Sequence, residues 1–97
     1  MTGTTRSSDG LDARRRRILF RSWHRGNREM DLIMGQFADA FIERLSEREL
    51  DEYERLIQLP DADLYAWIAG QADVPASHDC ELLRRLCAFH SGPRDPT

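Results

Sequence analysis

From residue 11 onward, apolar side chains recur at steps of three and four, the period of a helix with one buried face. No stretch alternates apolar and polar residues as a half-buried strand does. The first periodic segment opens at Asp12, an N-cap residue type, and runs to about His24. At about 100° per residue, Leu11, Ile18, Leu19 and Trp23 cover an arc of roughly 140°, which predicts the buried face. Arg14, Arg17, Arg21 and Arg25 fall within roughly 80° of one another on a separate stripe, while Arg15 and Arg16 point elsewhere. Gly26 ends the segment, as glycine commonly does just past a helix terminus. A second helix opens at Asn27, with Glu29 in the first turn, where a carboxylate suits the positive end of the dipole. Its Met30, Ile33, Met34, Phe37, Phe41 and Leu45 form a stripe broadened by Leu32, Ala38, Ala40 and Ile42, so it should be the central helix. Gly35 within it costs ~1 kcal/mol relative to alanine, a cost that a closely packed neighbour would offset.

Ser46 with Glu49 three residues on is a capping box, and it opens a third helix whose inner face is Leu50, Tyr53, Leu56 and Ile57. Pro60 should end that helix, and Asp61 should cap a short fourth one over residues 62–69. Leu64, Tyr65, Trp67 and Ile68 make this segment densely apolar, Trp67 is expected in the core, and Gly70 closes it. After a turn at Val74 and Pro75, Ser77 should cap a fifth helix carrying Leu82, Leu83, Leu86, Cys87 and Phe89. The expected fold is all-α: a compact five-helix antiparallel bundle over residues 11–90. The tails, 1–10 and 91–97, lack periodicity and are expected to be disordered.

Composition narrows the function classes. The chain has 97 residues, enough for one domain, and only 21 are Leu, Ile, Val or Phe. No apolar run approaches the ~18 residues of a membrane span, and the N-terminus has no apolar signal region. Cys80 and Cys87 sit seven apart on what reads as one helix, separated by ~10.5 Å along the axis and so too distant for a disulfide. A cytoplasmic, monomeric protein is the expectation. Ser77, His78 and Asp79 have the residue types of a hydrolase triad, but in consecutive positions they cannot face one another. His24, His78 and His90 have no companions at metal-ligand spacing, so no metal site is expected. There is no glycine-rich phosphate cradle.

Charge is unevenly spread. Residues 1–28 hold eight arginines and two acids, whereas residues 29–97 hold six arginines and fifteen acids. The arginine-rich first helix therefore admits an alternative reading, a small nucleic-acid-binding or regulatory module; the acidity of the whole chain, with a net charge of −3, argues against it. At the corner between the first two helices, Arg25, Gly26, Asn27, Arg28 and Glu29 put a cationic fork and a carboxylate around a glycine small enough for a partner's backbone to approach.

That corner, RGNRE, fits the RGxxE signature of the succinate dehydrogenase FAD assembly factors (SdhE type). From about Arg14 to Ala88 the chain resembles that family: RRRRILFRSWHRG, then REMDLIMGQFAD, then LSERELDEYERLIQLPDADLYAWIAG. The last segment is similar to the family's E-x-x-x-[FY]-x-x-L-[LI] element followed by D-x-D-L-[FY]-x-W, here Asp61 through Trp67. The resemblance implies a non-enzymatic helper that binds the immature flavoprotein subunit of succinate dehydrogenase, or of fumarate reductase, and promotes its covalent attachment of FAD. It further implies that the flavin bond forms largely autocatalytically in the client, whose cofactor FAD is, and that the helper holds none stably. Arg25, Gly26 and Glu29 match the signature; Arg28 and Asp31 extend it by proximity. His24 stands where many members carry a second basic residue. With the basic face of the first helix (Arg14, Arg17, Arg21), these residues form the expected partner-binding surface.

Overall fold

A computed structural model describes residues 10–91, and among these the chain is helical with no strand. Five α-helices follow in order: α1 (Ala13–Trp23), α2 (Arg28–Phe41), α3 (Glu47–Ile57), α4 (Asp61–Ile68) and α5 (Glu81–Ser91). Single 3-10 turns, Ile42–Arg44 and Ala76–His78, follow α2 and precede α5. Helix α1 packs on α2 and α3, and α5 closes the bundle against α2, α3 and α4. No described helix is long and apolar enough to cross a membrane.

Three helix starts form as their local sequence dictates. Asp12 accepts the Arg15 N–H, Asn27 accepts the Met30 N–H, and Ser46 and Glu49 form the reciprocal capping box. Two others differ. The fourth helix starts one residue earlier than expected, with Pro60 as its cap and Asp61 as its first residue; the Asp61 carboxylate is drawn away by Arg25. Ser77 does not cap α5: it lies in the 3-10 turn, and α5 starts at Glu81, which leaves Cys80 just outside the helix. Neither Cys80 nor Cys87 is in a disulfide. Of the expected tails, all but Gly10 and Ser91 lie outside the described residues, and Ser91 is the last residue of α5.

The core runs through all five helices. Leu11, Ile18, Leu19 and Trp23 of the α1 segment meet Met30, Met34, Phe37 and Ala38 of α2, Leu50, Tyr53, Leu56 and Ile57 of α3, and Leu82, Leu83 and Leu86 of α5. At its centre the Tyr53 hydroxyl lies 2.8 Å from Ser22 Oγ and 3.1 Å from the Met34 carbonyl, joining three helices through two otherwise costly buried hydroxyls. Burial holds the Tyr53 phenol neutral by pushing its pKa up. The apolar edge of the bundle is wetter than its periodicity implied. Leu32, Tyr65 and Phe89 are exposed, and Trp67, expected in the core, is half-buried against it. Phe89 lies edge-on to Phe37 and Phe41 at the rim.

Gly35 shows why a helix-weakening residue sits mid-helix. The Trp23 indole lies directly on it, in the space a Cβ would fill, and the ring's Nε1 reaches Asp39 one turn on at 3.1 Å. For Gly35→Ala, helix propensity alone would add ~1 kcal/mol of stability. The overpacked Trp23 should instead remove about 1–3 kcal/mol. Urea denaturation decides between them: a lower midpoint is expected, and a raised one would mean that Trp23 moves aside without cost.

Candidate functional site

The α1–α2 corner is assembled from local pieces. His24 caps α1, Gly26 adopts φ +89°, and Asn27 starts α2. The Arg25 N–H, leaving the ended helix, donates to the Asp31 carboxylate. A Cβ at Gly26 would meet nothing within 4 Å, so glycine is required by the left-handed backbone and not by crowding. Gly26, Asn27, Arg28 and Glu29 are all exposed. The side chains of Arg28 and Glu29 make no hydrogen bond or ion pair with any described residue, so the first turn of α2 presents an adjacent cation and anion to solvent just past the glycine.

Arg25 was expected to offer its fork to a partner, but it spends that fork inside the fold. Its side chain is only 8% exposed. Nε and Nη2 donate to the Asp61 carboxylate at 2.9 and 2.6 Å, Nη1 donates to the Ile57 carbonyl, and Nη2 also reaches the Leu59 carbonyl at 3.1 Å. Ile57 ends α3 and Asp61 begins α4, so one cation satisfies carbonyls at the negative end of one helix and a carboxylate at the start of the next. Asp31 is likewise occupied, by the Arg25 backbone.

Much of the arginine run is also consumed internally. Arg14, assigned to the exposed docking face, lies against α3 and donates to Glu47 at 2.9 Å, to Asp51, and to Glu54 at 2.9 and 3.2 Å. That contact holds the Glu54 carboxyl below its ordinary value of 4.5 and raises the Arg14 pKa further. Arg15 donates to the Ile42 and Leu45 carbonyls and to Asp12, and Arg16 donates to the Leu11 carbonyl. Of the three arginines assigned to the basic face of α1, only Arg17 and Arg21 are exposed without a hydrogen bond or ion pair to a described residue. The structure therefore gathers Gly26, Arg28 and Glu29 at the corner and Arg17 and Arg21 along α1, and turns Arg14, Arg25 and Asp31 inward.

Sequence reasoning missed what flanks the corner. A shallow cleft of about 400 Å³ lies between Asn27, Glu29 and Met30 on one side and Asp61, Ala62 and Tyr65 on the other. Its lining includes the exposed Tyr65 and Glu29. The only available signal was the placement of α4 in the Asp61–Trp67 block, which spacing alone does not connect to residue 29. Ser77, His78 and Asp79 form no relay: the Asp79 carboxylate is bound by Arg84 at 2.6 Å. The described residues contain no group of three or more His, Cys, Asp or Glu arranged to hold a metal ion.

A family profile described as the flavinator of succinate dehydrogenase matches residues 16–90. The chain is 36% identical over 80 residues to the FAD assembly factor SdhE of Acetobacter pasteurianus, an alignment covering 82% of this chain and 73% of that one. It is 38% identical over 86 residues to the mitochondrial succinate dehydrogenase assembly factor 2 of Dictyostelium discoideum, and 33% identical over 86 residues to that of Danio rerio. Those alignments cover 89% and 87% of this chain but only 60% and 54% of the mitochondrial proteins, which are longer.

Two substitutions test the internal use of the arginines. Arg25→Lys keeps the charge but cannot bridge three acceptors in one plane, and should cost about 1–3 kcal/mol in urea denaturation. A neutral result would mean that charge alone holds the corner. Arg14→Gln leaves Glu47, Asp51 and Glu54 facing one another unpaired. A depressed carboxyl pKa in the folded state stabilises above its unfolded value and loses that contribution as pH falls. The variant should therefore be less stable than the wild type near neutrality, and the gap should close below about pH 4. Parallel denaturation curves at the two pH values check this, and a gap independent of pH would rule the carboxylates out.

Proposed function

The chain belongs to the family of succinate dehydrogenase flavinators, and from that premise we propose that it is an assembly factor for a flavoprotein. It binds the immature flavoprotein subunit of succinate dehydrogenase, or of the homologous fumarate reductase, and promotes that subunit's covalent attachment of FAD. The observation that carries the reading is the Gly26–Glu29 corner, an exposed glycine turn followed at the start of α2 by Arg28 and Glu29, whose side chains have no hydrogen bond or ion pair to a described residue. Arg25 fixes it to the α3–α4 junction from beneath. A bare main chain beside an exposed cation and anion is a surface that another protein's backbone can approach closely and register against.

In this reading the factor is not an enzyme. It contributes position: holding a client's reacting groups near attack geometry lowers a barrier by up to ~7–11 kcal/mol without a nucleophile on the helper. FAD is then the cofactor of the client, and the bond forms in the client. The factor acts as a single copy in the cytoplasm, where the client is made. The nucleic-acid alternative loses ground on a specific count: three of the four consecutive arginines are bound to this chain's own carboxylates and carbonyls, which leaves few cations for phosphates.

The test is covalent flavin on the client. The flavoprotein subunit is expressed with and without this protein, denatured, and its flavin fluorescence read on the polypeptide. Flavin attachment should depend on the factor and be lost with Gly26→Arg and reduced with Glu29→Ala. A side chain at residue 26 strains the left-handed backbone by only about 1–2 kcal/mol and meets open space, so the variant should remain folded by circular dichroism. Equal flavin content with and without the factor would overturn the reading.

A further inference from the structure

The outer face of α1 carries a feature that neither the corner nor the core accounts for. Phe20 is 62% exposed, the most exposed large apolar side chain among the described residues. It is nevertheless held in place. The His24 ring stacks on it with centroids 3.9 Å apart and planes 16° from parallel, and His24 Nδ1 lies 2.7 Å from the Phe20 carbonyl oxygen. Because that oxygen only accepts, Nδ1 carries the proton, and this hydrogen bond together with the stack sets the ring's orientation. Around the phenyl ring, Ala13, Arg16, Arg17 and Arg21 line a shallow depression of about 510 Å³. Neither Arg17 nor Arg21 makes a hydrogen bond or ion pair with a described residue, although Arg17 is near enough to Glu54 to help hold its carboxyl below the ordinary value. Two residues beyond His24, this face runs into Gly26.

We propose that Phe20, stacked on His24 and flanked by Arg17 and Arg21, is a second docking element that seats an acidic, apolar-bearing segment of the protein client. This rests on the assembly-factor reading above. An ordered aromatic ring loses little side-chain entropy on burial, and such a ring beside arginines has the composition of an interface anchor. Two guanidinium groups beside it that make no ion pair of their own call for ionised acceptors, carboxylate or phosphate, which match them in charge and fork geometry. The remainder of the chain holds fifteen acids against six arginines from residue 29 on. A partner must therefore be acidic locally, where it meets α1, and not a uniformly charged polymer that the rest of the surface would repel. A folded protein segment meets that condition, and a nucleic acid does not.

The experiment titrates the purified flavoprotein subunit, before flavin attachment, with the full-length chain and measures binding by calorimetry. Wild-type protein should bind. Phe20→Ala should weaken binding by about tenfold or more, Phe20→Tyr should retain it, and Arg17→Glu with Arg21→Glu should weaken it and flatten its salt dependence. Because Phe20 is exposed, Phe20→Ala and Phe20→Tyr should keep the wild-type melting temperature. Wild-type affinity in Phe20→Ala overturns this proposal and leaves the corner untouched. Absence of binding by the wild type overturns the assembly-factor reading itself. Tight binding of a single-stranded oligonucleotide that is lost in Phe20→Ala would assign the face to nucleic acid and overturn the protein-segment proposal.

Discussion

One guanidinium joins the two corners of this small bundle. Arg25 leaves α1 at its end, turns inward, and meets the last carbonyl of α3, the Leu59 carbonyl in the loop after it and the first carboxylate of α4. Each of those acceptors is a group that a helix junction leaves unsatisfied. Without Arg25, two carbonyls and one carboxylate would share a half-buried site with no donor, each at a cost of ~1–3 kcal/mol. The exposed turn above it takes its position from this arrangement: Gly26 can hold a left-handed conformation in open solvent because the residue before it is fixed on both its N–H and its side chain.

The arginine run follows the same logic at the other end of α1. Arg15 satisfies carbonyls where α2 breaks into its 3-10 turn, and Arg14 draws three carboxylates of α3 onto one cation. A chain so poor in large apolar residues gains from such contacts because long arginine stems also cover apolar surface while their heads pair. Charge asymmetry along the sequence, a basic first quarter and an acidic remainder, thus becomes internal complementarity in the fold. The exposed charges left without a hydrogen bond or ion pair to a described residue include Arg17 and Arg21 on α1 and Arg28 with Glu29 at the corner, and also Arg55, Asp63, Asp73 and Glu81 elsewhere.

What the sequence made legible follows the range of each interaction. The caps at Asp12, Asn27 and Ser46 act over three residues, and all three form as their spacing predicts. The buried stripe of α1 and the glycine under a packed neighbour at Gly35 were readable because helical periodicity is local. Asp61 was misread for the opposite reason: its capping chemistry lost to an arginine 36 residues away, a partner that no spacing rule identifies. Arg14 and Arg25 had the stripe position of solvent-facing residues, yet their acceptors lie on α3 and at the α3–α4 junction, so they turned inward. Phe20 was passed over because a single apolar residue off the buried face is ordinary in sequence; only its stacking on His24 and its rim of arginines set it apart.

For a helper of the kind proposed, one that supplies position rather than chemistry, rigidity of the exposed surface matters more than its area. Affinity is what remains after the ordering of both partners has been offset. In the proposed docking, a turn already fixed from below and a phenyl ring already stacked would meet the client without further ordering, so less of the contact energy would be lost to immobilising them. That energy is then available to hold the client in the arrangement its own reaction requires. In the proposed docking, the inward-turned Arg25 would contribute although it faces away from solvent, through the geometry it imposes on Gly26, Arg28 and Glu29. Its loss would be felt as a loosened corner, even where the bundle still folds.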